Sequence, residues 1–400
     1  MNNLNRRQFT LLSGLSLLSL GTLSACSVSG EKEAPKEEEK PEEKKESAEA
    51  SGEKSTSGKR TIKDHGDNIV ELPEKIERVV ITSITPLPSV YCMYRGGVEG
   101  LIGMSSSAMA AAKNSYLPNI YPEIADIRTD FYQGGKLNIE ELVAMKPDVV
   151  LYRVNSEGEK ELLEKAGLCA VGFSVTLGKF NCLETFNGWL DLLRQIFPEE
   201  KNTKGVYEYG QKVYKEITDK TSKLSDEDKP KVLALHMCAN GILKCSGSNF
   251  FGDWWINTSG GVNVAADLKG PAEISMEQIY QWNPDKIIIN NFCSFLPEDL
   301  YENNLEGLDW RPVKAVQNKE VYKVPLGTYR WFPPSSDTPV ALYWFAKTIQ
   351  PELFKDVDMD QELKNYFKQY YNFDLNDEEL QKIYNPPREA AGNSWKKEAK

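Results

Sequence analysis

The chain has 400 residues, a net charge of −11, and 40% hydrophobic and 10% aromatic content. That is enough apolar material for one large or two medium domains, while the acidic balance excludes a nucleic-acid partner, which would need a basic face. Seven cysteines without CxxC or zinc-finger spacing exclude a disulfide scaffold.

In chain order, Arg6 and Arg7 precede an apolar run from Phe9 to Leu23 that closes on Leu23-Ser24-Ala25-Cys26. A basic start, a short apolar stretch and small residues before the cut are the layout of a secretory signal, too short to span a bilayer comfortably. With a cysteine at the cut point the segment resembles a bacterial lipoprotein signal. Residues 1–25 are then expected to be removed, and Cys26 to become the lipidated, palmitate-bearing first residue on the outer face of a cell membrane. Asn5-Arg6-Arg7-Gln8-Phe9-Thr10 is similar to a twin-arginine motif, so general and folded export both stay open. Residues 26–60 complete an anchor and a tether of Glu, Lys, Pro, Ala, Ser and Gly that cannot repay ordering entropy. A flexible chain of that length reaches roughly 30 Å.

The folded body begins at residue 61. Runs at Arg78–Thr82, Gly100–Met104, Val149–Tyr152 and Ala170–Phe173 read as buried strands, with an apolar-periodic helix over Ile139–Met145 stopped by Lys146-Pro147-Asp148. Residues 61–180 therefore read as an N-terminal α/β lobe with a mostly parallel sheet. Residues 181–228 carry helix periodicity interrupted at Phe197-Pro198, with a helix expected over Lys201–Leu224. The α/β pattern restarts over 229–386, with strands at Lys231–Leu235 and Asp285–Asn290 and a helix at Ser275–Trp282. The two halves echo each other, Ile139-Glu140-Glu141 through Pro147-Asp148-Val149 against Met276-Glu277-Gln278 through Pro284-Asp285-Lys286. The fold class expected is α/β, two similar lobes joined by one long rigid helix, with a polar, disordered tail from 387 to 400.

Four segments then carry a family resemblance. They are Asp64-His65-Gly66-Asp67 through Arg78-Val79-Val80, the helix ending in Lys-Pro-Asp, the turn Gly260-Gly261-Val262-Asn263-Val264-Ala265, and Trp310 to Pro325 with its Val-Tyr-Lys-Val-Pro close. In this order, over roughly residues 60–385, the chain resembles the substrate-binding proteins of iron-siderophore and cobalamin ABC importers. The resemblance implies a monomeric binder that captures a small-molecule metal chelate between its lobes and delivers it to a dimeric permease with its ATPase. It also implies that one acidic residue per lobe docks on the permease. The motif places these at Glu140 and Glu277, with Glu141 the competitor should the register shift by one.

Ligands of open α/β lobes sit outside the carboxyl ends of the strands. The loops there offer Tyr152 and Arg153, His236-Met237-Cys238, Trp254 and Trp255, Asn290 to Cys293, and Tyr329-Arg330-Trp331-Phe332. Arginine forks pair with carboxylate, catecholate or phosphate oxygens, and Tyr and Trp add stacking area. The ligand-binding candidates are thus Arg330, Arg153, Tyr152, Tyr329, Trp331, Trp255, Trp254 and His236, suited to a ferric chelate, with haem, a corrinoid or an oxyanion such as molybdate as alternatives. No covalently bound cofactor is expected. Direct metal ligation is not expected either: His236, Met237 and Cys238, with Cys245 and Cys293 as further soft-ligand candidates, are consecutive on a strand and point to opposite faces. Catalysis is also not expected, because the paired glycines lack phosphate-loop spacing and neither GxSxG nor HExxH occurs. A surface structural or adhesive lipoprotein is the remaining alternative of another class.

Overall fold

The computed structural model describes residues 60–133, 136–239 and 242–394. The expected signal, Cys26 and the tether up to residue 59 lie outside them. β-branched runs build the first sheet: β1 (Val79–Ile81), β2 (Leu101–Met104), β3 (Val149–Arg153) and β4 (Ala170–Phe173), all parallel, in the order β2-β1-β3-β4. The second sheet contains β5 (Lys231–Ala239), β6 (Ile242–Ser246), β7 (Val262–Asn263), β8 (Pro271–Ile274), β9 (Lys286–Ile289) and β10 (Val321–Lys323). Its order is β8-β6-β5-β9-β10, with β7 also beside β5. β5, β7, β9 and β10 run parallel, whereas β6 is antiparallel to both β5 and β8.

The echoed segments fold alike. Helix α1 (Ile139–Ala144) starts at Asn138, whose side chain accepts from Glu141 N–H. The equivalent helix in the second half, Met276–Trp282, starts at Ser275, whose side chain accepts from Gln278 N–H. Such caps satisfy amide groups that have no partner within the helix. Beyond the helices, the aspartates of the two Pro-Asp pairs perform the same task. Asp148 accepts from the amides of Glu77 and Arg78 at 2.7 and 2.8 Å, at the start of β1. Asp285 accepts from Lys231 N–H at 2.8 Å, at the start of β5.

Between the sheets the chain runs through α2 (Cys182–Ile196) and α3 (Val206–Thr221). The helix expected from Lys201 begins only at Val206, because Phe197 is extended ahead of Pro198 and Gly205 takes φ 82°. That left-handed position suits glycine. At 16 residues, α3 is about 24 Å long. Helices α4 (Phe251–Thr258), α5 (Met276–Trp282) and α6 (Thr338–Ile349) follow, and α6 packs along α3.

The period of two along each strand divides the core. Val79, Ile81, Leu151 and Val171 join Trp189, Leu190, Val213 and Ile217 of the connecting helices and Val232, Ala234, Ile288 and Val324 of the second sheet in one apolar cluster. Val80, Val150 and Tyr152 face a separate cluster with Leu142 and Leu163, and Leu233, Leu235, Ile287 and Ile289 face a third with Ile279 and Trp310.

The polar tail expected from residue 387 is corrected over its described part. Arg388–Ser394 forms 3-10 turns, with the Arg388 guanidinium on both Asp299 carboxylate oxygens at 2.5 and 2.7 Å and with Ala390 and Ala391 buried. A bidentate charged pair offsets the ordering that composition alone argued against.

The segment from Leu326 to Asp337 is held by a buried carboxylate. Asp337 Oδ2 accepts from Thr328 N–H (2.7 Å) and Trp331 Nε1–H (2.9 Å), and Oδ1 accepts from the hydroxyls of Thr328 (2.8 Å) and Tyr371 (2.7 Å). Burial pushes its pKa up against these four bonds. Stripping a buried partner costs about 1–3 kcal/mol per orphaned group. Asp337→Ala is therefore expected to lose roughly 3 kcal/mol or more of stability, and Asp337→Asn less; urea unfolding of both variants checks this.

Candidate ligand-binding site

In each sheet the strand order reverses beside the strand that opens the lobe, β1 in the first and β5 in the second, and such switch points open a crevice at the carboxyl ends. In the first sheet the point lies between β1 and β3, where Ser83 Oγ accepts from Arg153 N–H at 2.9 Å. In the second it lies between β5 and β9, where Asn290 Nδ2 meets His236 Nδ1 at 3.0 Å. The two crevices face each other: Thr85, just after β1, hydrogen-bonds the Tyr329 hydroxyl at 3.2 Å, and Tyr116 N–H donates to Gly327 O at 2.7 Å.

Aromatic rings surround His236. Phe250 meets it edge-on at 4.8 Å, Phe292 lies at 5.4 Å and Phe332 at 6.1 Å. From the first lobe, Phe180 reaches Phe250 at 5.8 Å and Phe251 at 5.3 Å. Phe180 adopts φ 68° directly after Lys179 at φ 56°, a left-handed pair that costs about 1–3 kcal/mol per residue and is typical of ligand-clamping loops. Phe180, Phe250, Phe292 and His236 are each only partly buried, so they form the accessible apolar wall. On the first lobe, partly buried Ser83, Thr85, Ser106 and Thr176 with exposed Ser107 supply hydroxyls at the ends of β1, β2 and β4.

Burial holds the His236 imidazole down to about 4, with Lys244 adding to the effect. Nearby, Lys323 donates to the carbonyls of Asn290, Cys293 and Phe295 at 3.1, 2.6 and 2.9 Å, and burial lowers its pKa to about 8. This buried ammonium fixes the loop after β9.

The residues singled out by sequence divide accordingly. His236 and Tyr329 lie at the crevice, and Arg153 is exposed beside it. Arg330 is in the right loop but buried: its guanidinium donates to Asn291 O (3.2 Å) and Ala390 O (2.8 Å) and lies 4.4 Å over Phe292. Its donors bind the chain itself, so it shapes the wall. Tyr152 points into the cluster under the first sheet, because Arg153, and not Tyr152, follows the last inward position of β3. Trp331 and Trp255 are fully buried, donating to Asp337 and to Phe332 O, and Trp255 stacks on Phe345. Trp254 stacks parallel to Tyr214 of α3. Phe180 and Phe250 are not among the residues to which the sequence points; their only signal there is a large apolar residue in a Gly-containing loop after a strand. Among the described residues no three His, Cys, Asp or Glu side chains are grouped to hold a metal ion.

Glu140 and Glu277 are both exposed, each the second residue of its capped helix. Glu141 lies 3.6 Å from Arg128, so its charge is shared.

Residues 101–326 match the family model described as periplasmic binding protein. The chain belongs to this family. A periplasmic solute-binding protein structure from Veillonella parvula is similar to it at 30% identity and TM-score 0.73, covering 82% of this chain and 97% of that one. The molybdate-binding protein MolA of Haemophilus influenzae is 24% identical over 338 residues, 79% of this chain and 92% of its own. The iron-uptake system-binding protein of Bacillus subtilis is 24% identical over 214 residues, 51% of this chain and 63% of its own. The protein is thus a solute-binding protein of the periplasmic type, with the two-lobed α/β fold expected from its sequence. No helix among the described residues is long and apolar enough to cross a membrane.

Linkage gives the His236 site a sign. Its pKa in the fold, about 4, lies below its ordinary 6.5, so between these values the unfolded chain takes up a proton that the native state refuses, and stability falls as pH drops. Urea unfolding at pH 7, 6 and 5 is expected to show a steeper loss in the wild type than in His236→Gln.

Proposed function

We propose that this periplasmic binding protein captures an anionic metal chelate whose outer atoms are oxygens, a ferric siderophore of the aromatic type being the best fit, and hands it as a monomer to its permease. The observation that carries this reading is the partly buried ring set in which Phe250 and Phe292 lie against His236 and Phe180 lies against Phe250. A flat chelate can stack there, whereas a bare oxyanion has no use for such a wall. Arg153, exposed at the rim, supplies the cation that a chelate oxygen would meet. Anchoring through Cys26 at the outer membrane face would raise its concentration at the permease.

A second reading is molybdate. Two observations favour it: the hydroxyl row at the ends of β1, β2 and β4, and similarity to a molybdate-binding protein across most of the chain. Calorimetric titration of residues 60–400 against ferric catecholate and hydroxamate chelates, haem, cobalamin and molybdate separates the two. The expected result is saturable binding of a ferric aromatic chelate, weakened at least tenfold in Phe292→Ala; molybdate binding with no response to the chelates overturns the chelate reading.

For delivery, we propose that Glu140 and Glu277 dock on basic residues of the permease. Their positions are equivalent, and one turn beyond each an apolar side chain is exposed, Val143 at 42% and Tyr280 at 37%. Tyr280 is pinned by its hydroxyl on Asp309 O at 2.6 Å. Charges on a rigid body set orientation and encounter rate, and an ordered ring beside one of them adds contact area at low entropy cost. Glu140→Ala with Glu277→Ala is expected to abolish uptake of the bound chelate by cells while leaving calorimetric affinity unchanged; normal uptake would remove the docking role.

A further inference from the structure

The hydrogen-bond wiring of Asn290 dictates what His236 can offer a ligand. Asn290 is fully buried at the carboxyl end of β9. Its own N–H donates to Leu235 O at 3.1 Å, its carbonyl accepts from Lys323 Nζ at 3.1 Å, and its side-chain Oδ1 accepts from Phe292 N–H at 2.8 Å. The last bond fixes the amide, because rotating it by half a turn would set Nδ2 against a main-chain donor. The group facing His236 Nδ1 at 3.0 Å is therefore an NH2, which can only donate. Nδ1 must accept, so the single proton of the neutral ring resides on Nε2. Protonating Nδ1 as well would bring two donors together, the same conflict.

Metal-ligating imidazoles are wired the other way, donating one N–H to a carbonyl or carboxylate and keeping the opposite lone pair for the metal. Nε2 of His236 has no protein partner among the described residues, and the ring is only partly buried among Phe250, Phe292 and Phe332. We propose that Asn290 makes His236 an obligatory hydrogen-bond donor, so that the crevice selects a metal already enclosed by its own oxygen ligands and rejects a bare or hydrated metal ion that would need an imidazole lone pair. Asn290 is thus a specificity-determining residue acting through His236. This inference rests on the reading that His236 lines the ligand site, but the wiring exists without any ligand and is tested without one.

Two-bond 1H–15N correlation spectra of histidine-labelled protein at pH 7 report the tautomer directly. His236 is one of only two histidines, and its signals are assigned by their loss in His236→Gln. The expected pattern is the Nε2–H tautomer with no response of these signals to added Ni2+. In Asn290→Asp a carboxylate faces Nδ1 and accepts, so the tautomer is expected to reverse. Broadening of the His236 signals should then appear at a Ni2+ concentration at least tenfold lower than any that affects the wild type, and Ni2+ retention by Asn290→Asp should fall again on adding His236→Gln. An Nδ1–H tautomer in the wild type, broadening of its His236 signals by Ni2+, or an unchanged tautomer in a folded Asn290→Asp overturns the proposal. Should Asn290→Asp fail to fold, the wild-type spectrum and its Ni2+ titration still decide. A confirmed tautomer beside failed chelate binding sinks the ligand reading alone.

Discussion

The arrangement depends on one buried carboxylate. Asp337 collects four donors from three residues on two segments, and in doing so turns the chain between Thr328 and Trp331 back on itself. Tyr329, Arg330 and Phe332 therefore project from a loop whose backbone has few alternatives. With no cation paired to it among the described residues, the carboxylate is tolerated because its acceptor capacity is filled. Buried polar groups of this kind are high-stakes: complete, they impose a unique conformation. The same loop takes a backbone bond from Tyr116 and a hydroxyl contact from Thr85, so the anchor in one lobe also sets the width of the gap to the other.

Both switch points are built on one plan with different chemistry. In the first lobe a serine hydroxyl receives the amide of Arg153, leaving hydroxyls and a cation at the rim. In the second, a buried asparagine and a buried lysine organise a histidine among phenylalanines. A ligand between them meets a wet, hydrogen-bonding side and a dry, aromatic side. That asymmetry suits a molecule with a polar and a flat face.

The large-scale organisation was legible in the sequence because it rests on local signals. The β-branched runs from Val79 and Ile287, the proline stops and the echoed Glu140 and Glu277 helices all have short-range causes, and the structure adds why the aspartates recur: each ties down the first strand of its lobe. The site was legible only in part. The strand-end rule points to the loops that the structure brings to the crevice, and His236 and Tyr329 lie there. What sequence could not show was which face each side chain took, so Tyr152, Trp255 and Trp331 read as binding surface when they are core. Nor could it show long-range partners: Arg330 is occupied by Asn291 O and by Ala390, sixty positions onward, and the docked turn at Arg388–Ser394 depends on Asp299 far upstream. The left-handed backbone of Phe180 has no propensity signature at all.

The apolar cluster that runs without interruption from the first sheet through α2, α3 and α6 to the second has a kinetic consequence. Two lobes that share one close-packed interior cannot swing apart without opening voids along their common wall. Capture then draws on an arrangement that exists before the ligand arrives, and little of the binding free energy is diverted into domain closure. A membrane partner that distinguishes full from empty would then have to read small displacements near the crevice mouth.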